Sequence, residues 1–265
     1  MNHTWTGIVQ QLAERERSRN ARARPYIGLA HLDCPTAKQE GSPIISTDTI
    51  KGCTNNCFRC YANRISRYHR KIFTQPMKCF VVGFPDANLV YRFGTFGDPA
   101  TDWVWTFHEL DRLKELGMKH FYLLTKLQRI EGFRDDPSLC LHVSFDPLNP
   151  NQLAITTQNF DTITAKKIVR VKSIRSGISS IMASQQAILD FAHQRSAAIL
   201  ETRFYTHVKR DLGLLSMHGY EKKGSLFKYP GSVLEDCLGH EDHLVCDRAN
   251  TGKCRDCLNC LSLLT

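Results

Sequence analysis

The chain has 265 residues, 42% of them hydrophobic, which is enough to bury one substantial core and a small appendage. It contains no apolar run of about 18 residues, so we expect no transmembrane helix and no membrane partner. The formal net charge of +9 favours anionic partners. No secretory leader pattern precedes the eleven cysteines, so we expect a cytoplasmic protein whose thiols bind metals rather than form disulfides.

Residues 1–43 are predicted to form a basic N-terminal arm. The first part is polar and rich in arginine, and it predicts a helix that ends at Pro25. Two interpretations stay open for this helix. It is either a solvated extension with charge pairs four residues apart, or an arm that grips phosphates.

A cysteine loop follows the first predicted strand, residues 44–50. Cys53, Cys57 and Cys60 have the spacing C-x3-C-x2-C, with no fourth cysteine close enough to complete a local set. A [4Fe–4S] cluster normally takes four thiolates, so three thiolates in one loop leave one iron open to an exchangeable molecule. Half of a zinc site is the alternative, although zinc would need a fourth ligand from elsewhere.

Short apolar runs alternate with helical patterns after this loop. Beyond residues 44–50 we predict strands over Val90–Thr95, His120–Thr125, Cys140–Phe145, Ile168–Ile174 and Ala197–Tyr205. We predict helices over Tyr61–Lys71, Trp103–Leu116 with Gly117 as C-cap, and Ile181–Gln194. Six strands alternating with helices favour parallel βα units with right-handed crossovers.

A C-x3-C-x2-C loop directly after the first of six βα units resembles the radical SAM superfamily. The resemblance implies an α/β fold, a partial (β/α)6 TIM barrel, over residues 44–210. It also implies that S-adenosylmethionine (SAM) binds the open iron of a [4Fe–4S] cluster. An electron from a donor such as flavodoxin or ferredoxin then cleaves SAM to a 5′-deoxyadenosyl radical.

The resemblance implies cofactor contacts at the carboxyl ends of the strands, where barrels of this kind carry their active sites. At the second strand end, Thr95, Gly97 and Asp98 are expected to bind the SAM ammonium. An Asp-Pro turn that caps the following helix is the alternative for this segment. The superfamily usually has an aromatic residue before the third cysteine, and this chain has Arg59 there. We therefore expect Tyr61, with Phe58, to pack by the adenine.

Two further strand ends carry polar candidates. Ser144 and Asp146 at the fourth strand end are expected to bond the ribose hydroxyls or the substrate. Arg175, after the fifth strand, is expected either to pair with the SAM carboxylate as a planar fork or to lie on the surface.

Residues 211–265 are predicted to form a Cys-rich extension with a second metal site. Its ligands would be Cys246, Cys254, Cys257 and Cys260, spaced C-x7-C-x2-C-x2-C. Four cysteines form a complete set, so this site would be closed. The C-x2-C-x2-C run favours a second [4Fe–4S] cluster, and zinc is the alternative.

The cysteine loop together with residues 95–99 is faintly similar to spore photoproduct lyase-like and phage-encoded radical SAM members. That similarity and the net positive charge of the chain favour a nucleic acid or nucleotide as substrate. Two other functions stay open: a non-catalytic, zinc-binding protein that binds nucleic acid, and a peptide-modifying radical SAM enzyme.

Overall fold

The computed structural model describes residues 44–51, 53, 55, 57–58, 75–76, 90–94 and 97–245. The chain forms two compact units. The first takes the chain up to Asn56 together with residues 60–125 and 129–140. The second takes residues 57–59, residues 126–128 and the chain from Leu141 onward. The cysteine loop therefore contributes residues to both units.

The first unit is built around parallel strands. Its strands are β1 (Ile44–Ser46), β2 (Ile50–Lys51), β3 (Gln75–Pro76), β4 (Val90–Phe93) and β5 (His120–Thr125). β1, β4 and β5 lie parallel in that order, while β2 and β3 form a separate antiparallel pair. β6 (Leu139–Phe145) begins beside β5, where Phe121 N donates to Ser138 O at 3.3 Å, and it continues into the second unit.

Helix α1 (Trp103–Glu115) connects β4 to β5, and its sequence explains both of its ends. Asp102 caps the N-terminus by accepting from Trp105 N at 2.9 Å. Gly117 follows the helix with φ of 92°, a left-handed conformation that favours glycine. The buried face includes Trp103 and Phe107, whose rings pack against Phe133.

The second unit contains the remaining elements. They are α2 (Pro150–Thr162), β7 (Lys166–Ser173), α3 (Ser179–Gln194), β8 (Ile199–Arg203), β9 (Tyr205–Thr206), α4 (Lys209–Leu214), β10 (Glu221–Lys223), β11 (Leu226–Lys228), α5 (Val233–Leu238) and β12 (Leu244–Val245). β6, β7, β8 and β12 lie side by side in that order, with β7 and β12 parallel to β8. β9, β10 and β11 form a small antiparallel sheet.

The strands of the second unit are buried on both faces. Leu141, His142 and Val143 follow one another in β6 and are each fully buried, and so are the neighbours Ile168 and Val169 of β7. Such continuous burial is typical of parallel strands that are covered on both sides. The cover includes α2 and α3, because the rings of Phe145, Phe160 and Phe191 contact one another.

The predicted α/β class, with parallel strands joined by helices, is confirmed. Prediction and structure agree on β5 to the residue, and β4, β6, β7 and β8 lie within two residues of their predicted starts. The first predicted strand is interrupted after Ser46, because the carboxylate of Asp48 accepts the N–H of Gly94 at 2.6 Å where a backbone carbonyl would continue the ladder.

Helix α2 was not predicted. Its signal lies in the cap rather than in the periodicity: Asn149 accepts from Gln152 N, Pro150 occupies the first turn, and only Thr156 and Phe160 are buried. The elements after β8 were also not predicted. The predicted N-terminal arm, the helix over residues 61–71 and the cysteines of the tail lie outside the described residues. Within the described ranges, no helix is long and apolar enough to cross a membrane.

Candidate functional site

Two residues of the cysteine loop lie in the first unit. Cys53 is half-buried, and its Sγ accepts the backbone N–H of Asn55 at 3.4 Å. The side chain of Asn55 then donates to Asp98 Oδ2 at 2.7 Å. The loop is thereby tied to the segment that follows β4.

Asp98 is the carboxylate that organises this part of the first unit. It is 5% exposed, and both of its oxygens accept hydrogen bonds. Oδ1 accepts from Ala100 N at 3.0 Å and from Thr125 Oγ1 at 2.6 Å, while Oδ2 accepts from Asn55. Asp98 therefore caps the 3₁₀ turn Pro99–Thr101 and also joins the cysteine loop to the end of β5. Its contact with SAM stays a prediction.

The backbone just after β4 passes unusually close to β5. Gly94 has φ of 91°, and a Cβ built there would lie 2.0 Å from the carbonyl oxygen of Leu124. Only glycine fits this position, since both the conformation and the space exclude a side chain. Of the other predicted residues of this segment, Gly97 is buried and Thr95 lies outside the described residues.

The other described residues of the loop, Cys57 and Phe58, lie in the second unit. Cys57 Sγ is 3.9 Å from Gln152 Oε1 in the first turn of α2. The Phe58 carbonyl accepts from Lys172 Nζ at 3.1 Å. The Phe58 ring stacks on Phe204, with centroids 6.1 Å apart, and packs against a buried cluster that contains Phe204 and Ile174.

Asp146, at the carboxyl end of β6, lies between two lysines. Its Oδ2 is 3.2 Å from Lys172 Nζ and 3.6 Å from Lys126 Nζ. Burial of Asp146 would raise the pKa of its carboxyl, but the two ammonium groups and the N–H of Leu148 outweigh burial and hold the pKa below its ordinary value. Two cations against one anion leave a net positive charge at these strand ends.

The remaining predicted site residues have surroundings of their own or lie outside the described residues. Ser144 is half-buried in β6. Arg175 Nη1 donates to Tyr229 Oη at 2.7 Å, and its guanidinium lies over the Tyr229 ring. Cys60 and Tyr61 lie outside the described residues, as do Cys246, Cys254, Cys257 and Cys260. The structure thus brings Asp98 to one part of the loop in the first unit. In the second unit, Asp146 pairs with Lys172, and Lys172 donates to the Phe58 carbonyl in the other part of the loop.

A second buried carboxylate, Glu201, belongs to a structural network. Its Oε1 accepts from Ser173 Oγ at 2.6 Å and from Val233 N at 2.8 Å, which holds the start of α5 against β8. His243 Nε2 is 3.4 Å from Glu201 Oε2 and 3.0 Å from Ser232 Oγ. Because both neighbours meet the same imidazole nitrogen, these side chains do not form the relay of a hydrolase, in which the acid and the nucleophile meet opposite nitrogens.

Sequence reasoning missed Asn55, Lys126 and Lys172 as parts of the site. The two lysines carry a readable signal, since each is a charged residue at the end of an apolar strand, where barrel sites are built. Asn55 carries no such signal. Its role depends on a partner 43 residues away, and no local pattern indicates that partner.

The donor chemistry of the described cysteines fits a metal–thiolate site. Both thiols are half-buried, and Cys53 receives an N–H of the kind that stabilises a sulfur ligand. Among the described residues, no three His, Cys, Asp or Glu side chains are grouped to hold a metal ion. Cys60, the third cysteine of the motif, lies outside the described residues.

Comparisons with known proteins found no relative of this chain. No protein-family model matches the sequence, and no curated protein or solved structure matches it significantly.

Proposed function

We propose that this chain is a radical SAM enzyme that modifies a nucleic acid or nucleotide. In this proposal Cys53, Cys57 and Cys60 bind a [4Fe–4S] cluster, and SAM occupies the open iron. The observation that carries the proposal is the C-x3-C-x2-C spacing in a loop that follows the first strand of a parallel α/β sheet. Position and spacing agree, and such agreement is stronger support than either alone.

The anchoring of the loop supports the same proposal. Asn55 is held by Asp98 in the first unit, and Phe58 is held by Lys172 in the second. A redox site needs ligands that are held in place before the cofactor binds, because looseness in the supporting residues degrades a metal site. Both anchors come from segments at or near the carboxyl ends of parallel strands, where barrel enzymes place their chemistry.

The bound cluster and SAM would together supply a 5′-deoxyadenosyl radical, with the electron coming from a donor such as flavodoxin or ferredoxin. The finer assignments belong to this proposal. Thr95, Gly97 and Asp98 would hold the SAM ammonium, Ser144 and Asp146 its ribose or the substrate, Arg175 its carboxylate, and Tyr61 its adenine. The partial (β/α)6 barrel, the cytoplasmic location and the second cluster or zinc ion at the tail are proposed on the same basis.

Iron analysis tests the proposal directly. We expect the anaerobically reconstituted protein to hold iron and sulfide and to give a [4Fe–4S] EPR signal upon reduction. That signal should change when SAM is added, because SAM would bind the open iron. Changing Cys53, Cys57 and Cys60 together to Ala should remove about four irons per chain and all SAM cleavage.

The tail cysteines provide the matched control. Changing Cys254, Cys257 and Cys260 to Ala should leave the SAM-dependent signal in place, because these residues belong to the separate site. Wild-type iron content in the first triple variant would contradict the proposal. Tightly bound zinc without iron would instead favour a non-catalytic, zinc-binding protein.

A further inference from the structure

We infer that Lys172 is the positioning residue of the cysteine loop: its ammonium holds the loop at the Phe58 carbonyl and places a positive charge at the residue that follows Cys57 in the chain. Lys172 is the penultimate residue of β7 and is separated from Phe58 by 114 positions. The redox consequence of this role rests on the proposed function, whereas the contact with the loop does not.

Phe58 is held at two points, and both involve the same small assembly. Its carbonyl accepts from Lys172 Nζ at 3.1 Å, and its ring stacks on Phe204. Lys172 Nζ itself lies 5.0 Å from the centroid of the Phe204 ring. One ammonium and one ring thus hold the backbone carbonyl and the side chain of Phe58, the residue that follows Cys57 in the chain.

The position of the Lys172 ammonium is itself determined by a buried anion. Asp146 is 3% exposed and lies 3.2 Å from Lys172 Nζ, so the lysine cannot swing into solvent without leaving a buried carboxylate less compensated. Lys126 adds a second ammonium at the same oxygen. The Asp146 carboxylate therefore orients Lys172, and the second cation keeps the local charge positive.

A positive charge next to the loop has a definite chemical effect on a cluster bound there. The reduction potential of an iron–sulfur cluster depends on the net charge, the hydrogen bonds and the solvent exposure around its sulfur ligands. A nearby ammonium stabilises the more negative, reduced form. Lys172 should therefore raise the reduction potential of the cluster, so that the cluster is easier to reduce.

The same strand provides a matched control. Lys167 of β7 donates to the carbonyls of Phe160 and Ile163, and its ammonium lies 4.5 Å from the centroid of the Phe160 ring. Lys167 thus repeats the chemistry of Lys172, with a carbonyl and an aromatic ring, at the α2–β7 connection instead of at the cysteine loop. Lys167→Met should report what losing such a lysine does to β7 alone.

The deciding measurement is amide hydrogen exchange of the full chain, without cofactor, in the wild type, Lys172→Met, Lys172→Arg and Lys167→Met. We expect exchange at Cys57 and Phe58 to be about tenfold faster in Lys172→Met. Lys172→Arg should largely restore protection, because it keeps the charge and the donors. Lys167→Met should leave Cys57 and Phe58 as in the wild type. Unprotected amides in the wild type, or equal protection in Lys172→Met, would overturn the inference.

The second measurement is an EPR-monitored redox titration of the reconstituted proteins. We expect the midpoint potential of Lys172→Met to be more negative than that of the wild type, with Lys172→Arg and Lys167→Met close to the wild type. An unchanged potential would overturn the electrostatic part of the inference. If the wild type binds no iron, the proposed function fails, while the exchange experiment still decides whether Lys172 positions the loop.

Discussion

Asp98 and Asp102 show how two nearby carboxylates with the same local role come to differ in importance. Each caps a helical turn: Asp98 accepts from Ala100 N, and Asp102 accepts from Trp105 N. Asp98 additionally accepts from Thr125 and Asn55, which come from distant parts of the chain. The local sequence makes both residues caps, and the tertiary contacts make one of them an organiser of the site.

This difference predicts unequal costs of truncation. Asp98→Ala should lower the free energy of unfolding by about 3 kcal/mol, because it removes a cap and leaves the Thr125 and Asn55 donors poorly satisfied. Asp102→Ala should cost only about 1 kcal/mol, the usual cost of a lost cap. Urea unfolding followed by circular dichroism measures both. Equal costs would mean that the contacts of Asp98 with the loop and with β5 contribute nothing to stability.

At the scale of elements, two glycines end secondary structures with nearly the same backbone conformation but different surroundings. Gly94 ends β4 with φ of 91°, and Gly117 ends α1 with φ of 92°. A Cβ at Gly117 would meet nothing within 4 Å, whereas one at Gly94 would meet the Leu124 carbonyl at 2.0 Å. The Gly117 requirement is local and was predicted. The Gly94 requirement arises from the close approach of β5.

We therefore expect Gly117→Ala to cost about 1–2 kcal/mol, the strain of a left-handed residue alone. Gly94→Ala should cost clearly more, above about 3 kcal/mol, because a backbone atom cannot rotate away from the added methyl group. Thermal unfolding of the two variants side by side measures the difference. A Gly94→Ala protein as stable as Gly117→Ala would contradict the close approach of the backbone to β5.

At the scale of the whole molecule, charge is the property that bears on the substrate. The net charge is +9, yet two exposed arginines of the described chain are already paired, Arg195 with Asp161 and Arg134 with Asp111. Arg64, Arg67 and Arg70 follow the cysteine loop at spacings of three residues, so a helix there would present neighbouring arginines on one face. The proposed nucleic acid would bind through such cations.

If the substrate is a nucleic acid, affinity for a single-stranded oligonucleotide should fall steeply with salt, by roughly 0.7 log units per phosphate contact for each log unit of salt. Changing Arg64, Arg67 and Arg70 to Glu should weaken binding and reduce that slope, with the iron content unchanged. Arg195→Glu provides a control in which the charge of an already paired arginine is reversed. Binding that is absent at low salt, or indifferent to the triple reversal, would favour a peptide or a small metabolite.

Much of the fold was predictable because its signals are local. Alternating apolar strands and amphipathic helices follow from the side-chain pattern of each segment, and β5 and the end of α1 agree with that pattern closely. Helix α2 escaped prediction because few of its residues are buried, and the short strands after β8 escaped because pairing with neighbours, rather than periodicity, stabilises them.

The sequence by itself determined the cysteine spacing, the α/β class and the local caps, because each depends on residues close together in the chain. Only the tertiary structure decided which side chains hold the cysteine loop. Asp98 reaches Asn55 across 43 positions, and Lys172 reaches Phe58 across 114. Such long-range contacts depend on which strands are neighbours in the sheet and on where the segments between them lie. No local sequence pattern encodes either. For this reason the candidate ligands were readable from the sequence, while the residues that position their loop were not.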